Sequence, residues 1–179
     1  MLLGSFILPA LGKAQELKWI YKIGSLNTDY CAGVSLDNNQ NVYDITNFTG
    51  TATVASNVVF ESRGQDDILI RKSSPGGIRQ WVRRLGSKSQ DIVNDIIVDN
   101  ENNAYVIGTF KDSLFFDSTM ILVTQANLSA SYILKINSDG VLKWAKKIES
   151  AQSVVLKSVT TGTLQDVVVS GHFEGMAIF

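Results

Sequence analysis

The chain has one cysteine and one histidine in 179 residues, so it is nearly devoid of the side chains that most often bind transition metals. Cys31 alone cannot close an internal disulfide or supply the paired thiolates of a zinc site, and His172 alone excludes a three-histidine centre. Free cysteine is usually a small buried side chain, and Cys31 reads as one. His172, in "SGHFEG" at a strand end, reads as structural or solvent-facing, since no nucleophile or orienting carboxylate accompanies it as a triad requires. Charge is also sparse: 18% of residues carry it, below the globular average of about 25%. Sixteen basic residues against seventeen acidic ones leave a formal net charge of −1, too little for a global field that would recruit nucleic acid or an anionic membrane. No glycine-rich phosphate loop of either standard spacing occurs. No apolar run approaches the roughly 20 residues of a membrane-spanning helix. No stretch sustains apolar residues at i, i+3, i+4 and i+7, so helices are not expected.

The N-terminal "MLLGSFILPALGKA" has an apolar stretch from Leu2 to Leu11 and small residues at Gly12 and Ala14. It fits the hydrophobic region and cleavage site of a secretory signal peptide over residues 1–14, without the usual basic start; a buried first strand is the alternative. Such a chain would be secreted or displayed at the cell surface.

Three tryptophans, Trp19, Trp81 and Trp144, stand 62 and then 63 residues apart. At the same spacing Asp37 falls on Asp99, Asn41 on Asn103, Tyr43 on Tyr105, Phe48 on Phe110 and Gly108 on Gly171. A fixed period of this size is the mark of a repeat architecture. Within one unit, "DIVNDIIVD", "NAYVIGTF", "SYILKIN" and "VLKWAKKI" are short, rich in β-branched and aromatic residues, and bounded by turn formers; they read as four strands. "SLFFDSTMILVTQ" has the length of an additional hairpin between the second and third. Four antiparallel strands repeated in tandem are the composition of a β-propeller blade. The fold class is therefore all-β, with about two complete blades, part of a third, and an incomplete ring.

The recurring Asp-turn-Asn-x-Tyr-Val-x-Gly-x-Phe run and the later Leu-Lys-x-Asn-x-x-Gly-x-x-x-Trp run resemble the bacterial SBBP-type β-propeller repeat over Trp19 to Phe179. Departures from the pattern are Thr46 in the place of Gly108 and Gly171, Glu149 in the place of a glycine, and Arg71 to Pro75 in the place of a regular strand end. The resulting division is 15–28 as the outer strand of a closing blade, 29–85 as blade 1, 86–148 as blade 2 and 149–179 as a partial blade 3. A chain stopping inside a blade reads as a fragment of a larger protein, and its open strand edges predict self-association. The resemblance implies a multi-blade protein with a C-terminal sorting or adhesion module, and the residues present read as a non-catalytic scaffold or binding module for protein or carbohydrate with no resident cofactor. The alternative is a quinoprotein-dehydrogenase-like propeller, or a catalytic domain beyond residue 179.

The tryptophans are expected to cover the seams between blades, and Gly108 and Gly171 to admit a neighbouring strand. The alternation of Tyr105 and Ile107 with Val106 and Phe110 makes both faces of that strand apolar, as in a sheet packed between two others. "DNNQN" and "DNENN" place Asp37, Asn39, Asn41, Asp99 and Asn103 like the beginning of a calcium loop, but the glycine and glutamate that should follow are absent, and an Asx-type hairpin turn is the better reading. Asp66 and Asp67 read as loop charges. The basic residues recurring with the tryptophans, such as Arg83, Arg84, Lys146 and Lys147, read as protection of an outer strand edge or as contacts to an acidic polymer. Asn47 and Asn127 are formal glycosylation acceptors. Candidate binding loops are Gly24 to Asp29 and Gly86 to Asp91 on one side of the blades, or the Asp-Asn turns on the other.

Overall fold

A computed structural model describes residues 17–54, 58–125, 128–162 and 166–178; the apolar N-terminal stretch 1–14 and the acceptor Asn127 lie outside them. After a short strand β1 (Ile23–Gly24), the strands β2 (Tyr30–Leu36), β3 (Val42–Val54), β4 (Val58–Ser73) and β5 (Arg79–Gly86) pair antiparallel in chain order as blade 1. Strands β6 (Ile92–Val98) and β7 (Ala104–Lys111) open blade 2. The expected hairpin follows as β8 (Ser113–Phe116) and β9 (Thr119–Val123), and β10 (Ser129–Ile136) with β11 (Leu142–Ser150) completes the blade. Blade 3 consists of the β12 (Ser153–Thr161) and β13 (Val167–Glu174) pair, followed by the short β14 (Ala177–Ile178). The described structure is thus all-β and antiparallel, and no sheet closes on itself.

Two neighbouring blades share more than a packed face. The end of each outer strand hydrogen-bonds to a segment protruding from the next blade, a hairpin in the first two cases and the short β14 in the third: Ile23 pairs with Val54, Leu85 with Phe116, and Glu149 with Ile178. The segment leaves its blade through a residue at positive φ, and that residue recurs at the repeat spacing as Gly50 (77°), Asp112 (67°) and Gly175 (77°). Glycine carries no steric penalty there, and aspartate is among the few side chains that tolerate the left-handed region.

Alternation along β7 sends side chains into two separate cores. Val106 and Phe110 join Tyr43, Ile45, Ile68 and Ile70 between blades 1 and 2, while Tyr105 and Ile107 join Val154, Leu156 and Val159 between blades 2 and 3. Blade 1 has no described blade against its other face, so Val34 and Leu36 stay exposed on β2. Cys31 lies on that strand and is exposed, not buried as its residue type suggests. Only Ile23–Gly24 of the expected first outer strand is paired as a strand, because no third strand of its own blade lies beside residues 17–22 among the described residues. Arg71 to Ser73 are a regular strand end after all: they pair with β3 and β5, with a register shift beside Lys72 that blade 2 repeats beside Lys135.

Candidate functional site

Asp37 and Asp99 each organise the turn between the first two strands of a blade. Asp37 Oδ1 accepts the backbone N–H of Asn39 and of Asn41, both at 2.9 Å; Oδ2 accepts the Asn41 side-chain amide at 2.8 Å, with Lys72 Nζ at 3.4 Å. Asp99 repeats the pattern with the N–H groups of Glu101 and Asn103, the Asn103 amide, the Tyr105 hydroxyl at 3.1 Å and Lys135 Nζ at 3.8 Å. Burial works to raise both carboxyls, yet the asparagine hydrogen bonds outweigh it and hold each below the usual range. The turns also clasp one another across the seam: the Asn38 side-chain amide donates to the Asn100 carbonyl at 2.8 Å, and the Tyr43 hydroxyl donates to the Asn102 carbonyl at 3.3 Å. N–H donors and an ammonium therefore face the oxygens that a cation would need.

The tryptophans join one blade's outer strand to the next blade's outer turn. Trp81 on β5 donates its Nε1–H to the Ser138 carbonyl at 2.9 Å and lies flat enough on Gly140 that a Cβ there would stand 2.9 Å from the ring. Trp19 does the same with the Pro75 carbonyl and Gly77. Both glycines have positive φ, which lets each turn fold beneath its indole. Trp144 packs on Tyr105 with ring centroids 5.9 Å apart, as Trp81 packs on Tyr43 at 5.7 Å. Gly108 lies so close to β6 that a Cβ would stand 2.0 Å from the Ile92 carbonyl oxygen, and Gly171 is similarly tight at 2.2 Å from the Val155 carbonyl oxygen.

Four basic side chains of the outer strands are tied down, while Lys143 and Lys146 stay exposed. Arg79 donates to the Val54 carbonyl, Arg83 to Gly140, Arg84 to Glu61 and Lys147 to Val123, in each case capping a backbone oxygen of a neighbouring element. These four are inter-element clasps. Asp66 and Asp67 are likewise not loop charges: they lie within β4, where Asp67 is fully buried and Asp66 accepts hydrogen bonds from Thr49 and Gln90.

The blade-linking loops share a Ser-x-x-x-Asp form. Asp29 accepts the N–H of Ser25 at 2.6 Å, and Asp91 accepts that of Ser87 at 2.5 Å. The serine hydroxyls then accept the N–H of Asn27 and Ser89. Ser25, Ser87 and Ser150 recur at the repeat spacing, a signal present in the sequence that strand patterning alone does not weigh. Beside the first loop is an open groove of about 660 Å³ lined by Leu26, Asn27, Thr28, Tyr30, Thr49 and Asp66. Leu26 is fully exposed and Tyr30 half exposed, so the groove combines an apolar wall with amide, hydroxyl and carboxylate groups.

A family model described as "Beta-propeller repeat" (SBBP) matches residues 80–109, from Gln80 just before the tryptophan of β5 to Thr109 just after the glycine of β7. That stretch is similar to a propeller repeat. The chain is also 28% identical over 188 residues to an uncharacterized WD repeat-containing protein of Acanthamoeba polyphaga mimivirus, in a match that covers 89% of this chain. The chain spans 14% of that relative's length. Both likenesses are to repeat proteins, and the relative being viral, they give no support to a bacterial source. Among the described residues no helix is long and apolar enough to cross a membrane, which leaves strands unaddressed.

Proposed function

We propose that these blades belong to a non-catalytic propeller that serves as a scaffold and binds a protein or carbohydrate partner through the groove beside Ser25 to Asp29. The observation that carries this reading is the division of polar groups: those of the Asp-Asn turns and the outer-strand arginines are bonded across the seams, while the groove presents Thr28 and Tyr30 to solvent beside Asn27, whose side-chain amide is held by the Thr49 carbonyl. Aromatic and amide groups on a preformed loop suit the mixed apolar and polar surface of a sugar or a peptide. The N-terminal apolar stretch supports secretion or surface display. Protein and glycan arrays probed with the chain should give a partner whose signal falls at least tenfold in Tyr30→Ala. Binding that is indifferent to Tyr30 and Asn27 substitutions would move the site off this groove.

The same reading assigns no resident calcium. Calcium at millimolar concentration should leave the thermal midpoint within about 1 °C of its value in chelator, since a ligand stabilises only by binding the folded state; a larger rise that Asp99→Asn removes would install a cation in the turn. The outer edge of β13 and the exposed Val168, Phe173 and Ile178 predict self-association of the isolated chain. Light scattering should report dimers or larger species, and a monodisperse monomer is the contrary result.

A further inference from the structure

Asp67 on β4 and Asp91, just before β6, lie on adjoining segments where blade 1 passes into blade 2, and neither has any solvent exposure. The two segments are tied together by the main chain, the Asp91 N–H donating to the Asp66 carbonyl at 3.0 Å. Gly86 lies directly under the Asp67 carboxyl, where an added Cβ would stand 2.2 Å from its carbon. One oxygen of each carboxyl is engaged: Asp67 Oδ2 accepts the Arg63 N–H at 3.1 Å and has Arg84 Nε at 4.0 Å, and Asp91 Oδ2 accepts the Ser87 N–H. The other oxygen of each, Oδ1, is buried and makes no hydrogen bond. Two buried carboxylates with orphan oxygens are costly, and a proton on each removes the charge and supplies a donor. At the next seam the repeat spacing puts Ala130 and Val154 in these places, both buried. The acid pair is therefore an addition to one seam, not a requirement of the blade.

We propose that Asp67 and Asp91 form a proton-holding carboxylic acid pair that makes the seam between blades 1 and 2 tighter in mildly acidic than in mildly alkaline solution. Burial, opposed by the Arg63 backbone hydrogen bond and the Arg84 and Arg63 charges, pushes Asp67 up to about 6. Burial, with the Asp67 charge adding to it against the Ser87 hydrogen bonds, pushes Asp91 up to about 7. Both lie above the unfolded aspartate value of about 3.9. The folded chain holds protons that the unfolded chain releases, so the stabilisation is complete in acid and is lost as pH rises through 6 to 7. The other charged or titratable groups around the pair are Asp66 on β4, Arg84 on β5, Asp112 and Asp117 around the β8 hairpin, Lys88 and Lys111 at the loop, and Tyr132 from β10. The only histidine, His172, lies on β13 of blade 3, away from this seam. Asp37 and Asp99, held low, contribute stability that is lost only at more acid pH, outside this window.

The test is thermal unfolding of the full chain between about pH 5.5 and pH 8.5, where the midpoint should fall by roughly 5 °C or more as pH rises. In Asp67→Ala/Asp91→Val, which copies the second seam, that fall should vanish. A double variant that keeps the fall, or a wild-type midpoint that is flat or rising over this range, overturns the proposal. Should the double variant not fold, 13C-aspartate NMR of the wild-type chain decides: the Asp67 and Asp91 carboxyl carbons should titrate above about pH 5.5, and their titration in the ordinary carboxylate range near 4 refutes the pair.

Discussion

Replacing Trp81 with alanine is expected to destabilise the chain by about 3 kcal/mol, the cost of emptying a half-buried indole site whose surroundings cannot collapse. Three contacts disappear together: the edge-on packing against Tyr43, the hydrogen bond to the Ser138 carbonyl, and the cover over Gly140. Two of these belong to the neighbouring blade, so the loss falls on the seam. Phe in place of Trp81 keeps an aromatic face but no donor, and should recover all but about 1 kcal/mol, the usual net worth of one such bond. Trp19 makes the equivalent bond to Pro75 and covers Gly77, but no ring stacks against it among the described residues. Trp19→Ala should therefore cost about half as much, given roughly 0.5–1.5 kcal/mol for an aromatic pair beyond its buried area. Urea unfolding of the three variants gives the ranking, and equal costs at Trp19 and Trp81 would deny the Tyr43 contact its role.

That ranking depends on neighbours that no sequence period displays. The local chemistry was legible: "NSDG" becomes the Asn137–Gly140 turn with Gly140 at a φ of 79°, and the two apolar faces of "YVIGTF" enter two cores. So was the hairpin of Ser113–Val123, from length and apolar content. Period-two alternation says which face a side chain takes, but not what stands opposite it. Asp67 read as a loop charge, because the close approach of Gly86 that covers its carboxyl comes 19 residues later in the chain. Cys31 failed in the opposite sense, since its strand has the composition of a buried one and only the lack of a described neighbour exposes it. The outer-strand arginines looked like edge charges because their carbonyl partners lie in turns and hairpins of other elements, reached only after the blades assemble. Of the candidate site, the loop serines were present in the repeat register, whereas the groove beside them exists only once β2, β3 and β4 bring Tyr30, Thr49 and Asp66 together.

Gly108→Thr should be more damaging than any tryptophan truncation, by about 4 kcal/mol or more, because overpacking is here combined with a backbone clash. A Cβ at this position meets the Ile92 carbonyl oxygen at 2.0 Å and the Tyr132 hydroxyl at 2.4 Å. Blade 1 carries Thr46 at the equivalent place, buried and paired with Leu69, while Gly108 is paired with Tyr132. The residues covary within the chain: where the third strand offers a tyrosine whose hydroxyl reaches across to the first strand, the second strand has glycine, and where it offers leucine, threonine fits. A double variant, Gly108→Thr/Tyr132→Leu, should therefore recover part of the stability lost by Gly108→Thr, even though Tyr132→Leu alone is destabilising. The Ile92 carbonyl must still move, so recovery stays incomplete. A coupling energy of about 1 kcal/mol or more in the double-mutant cycle would establish the pair as one packing unit. Simple additivity would mean that the Ile92 backbone alone excludes a side chain at Gly108, and that Tyr132 is tolerated there rather than required.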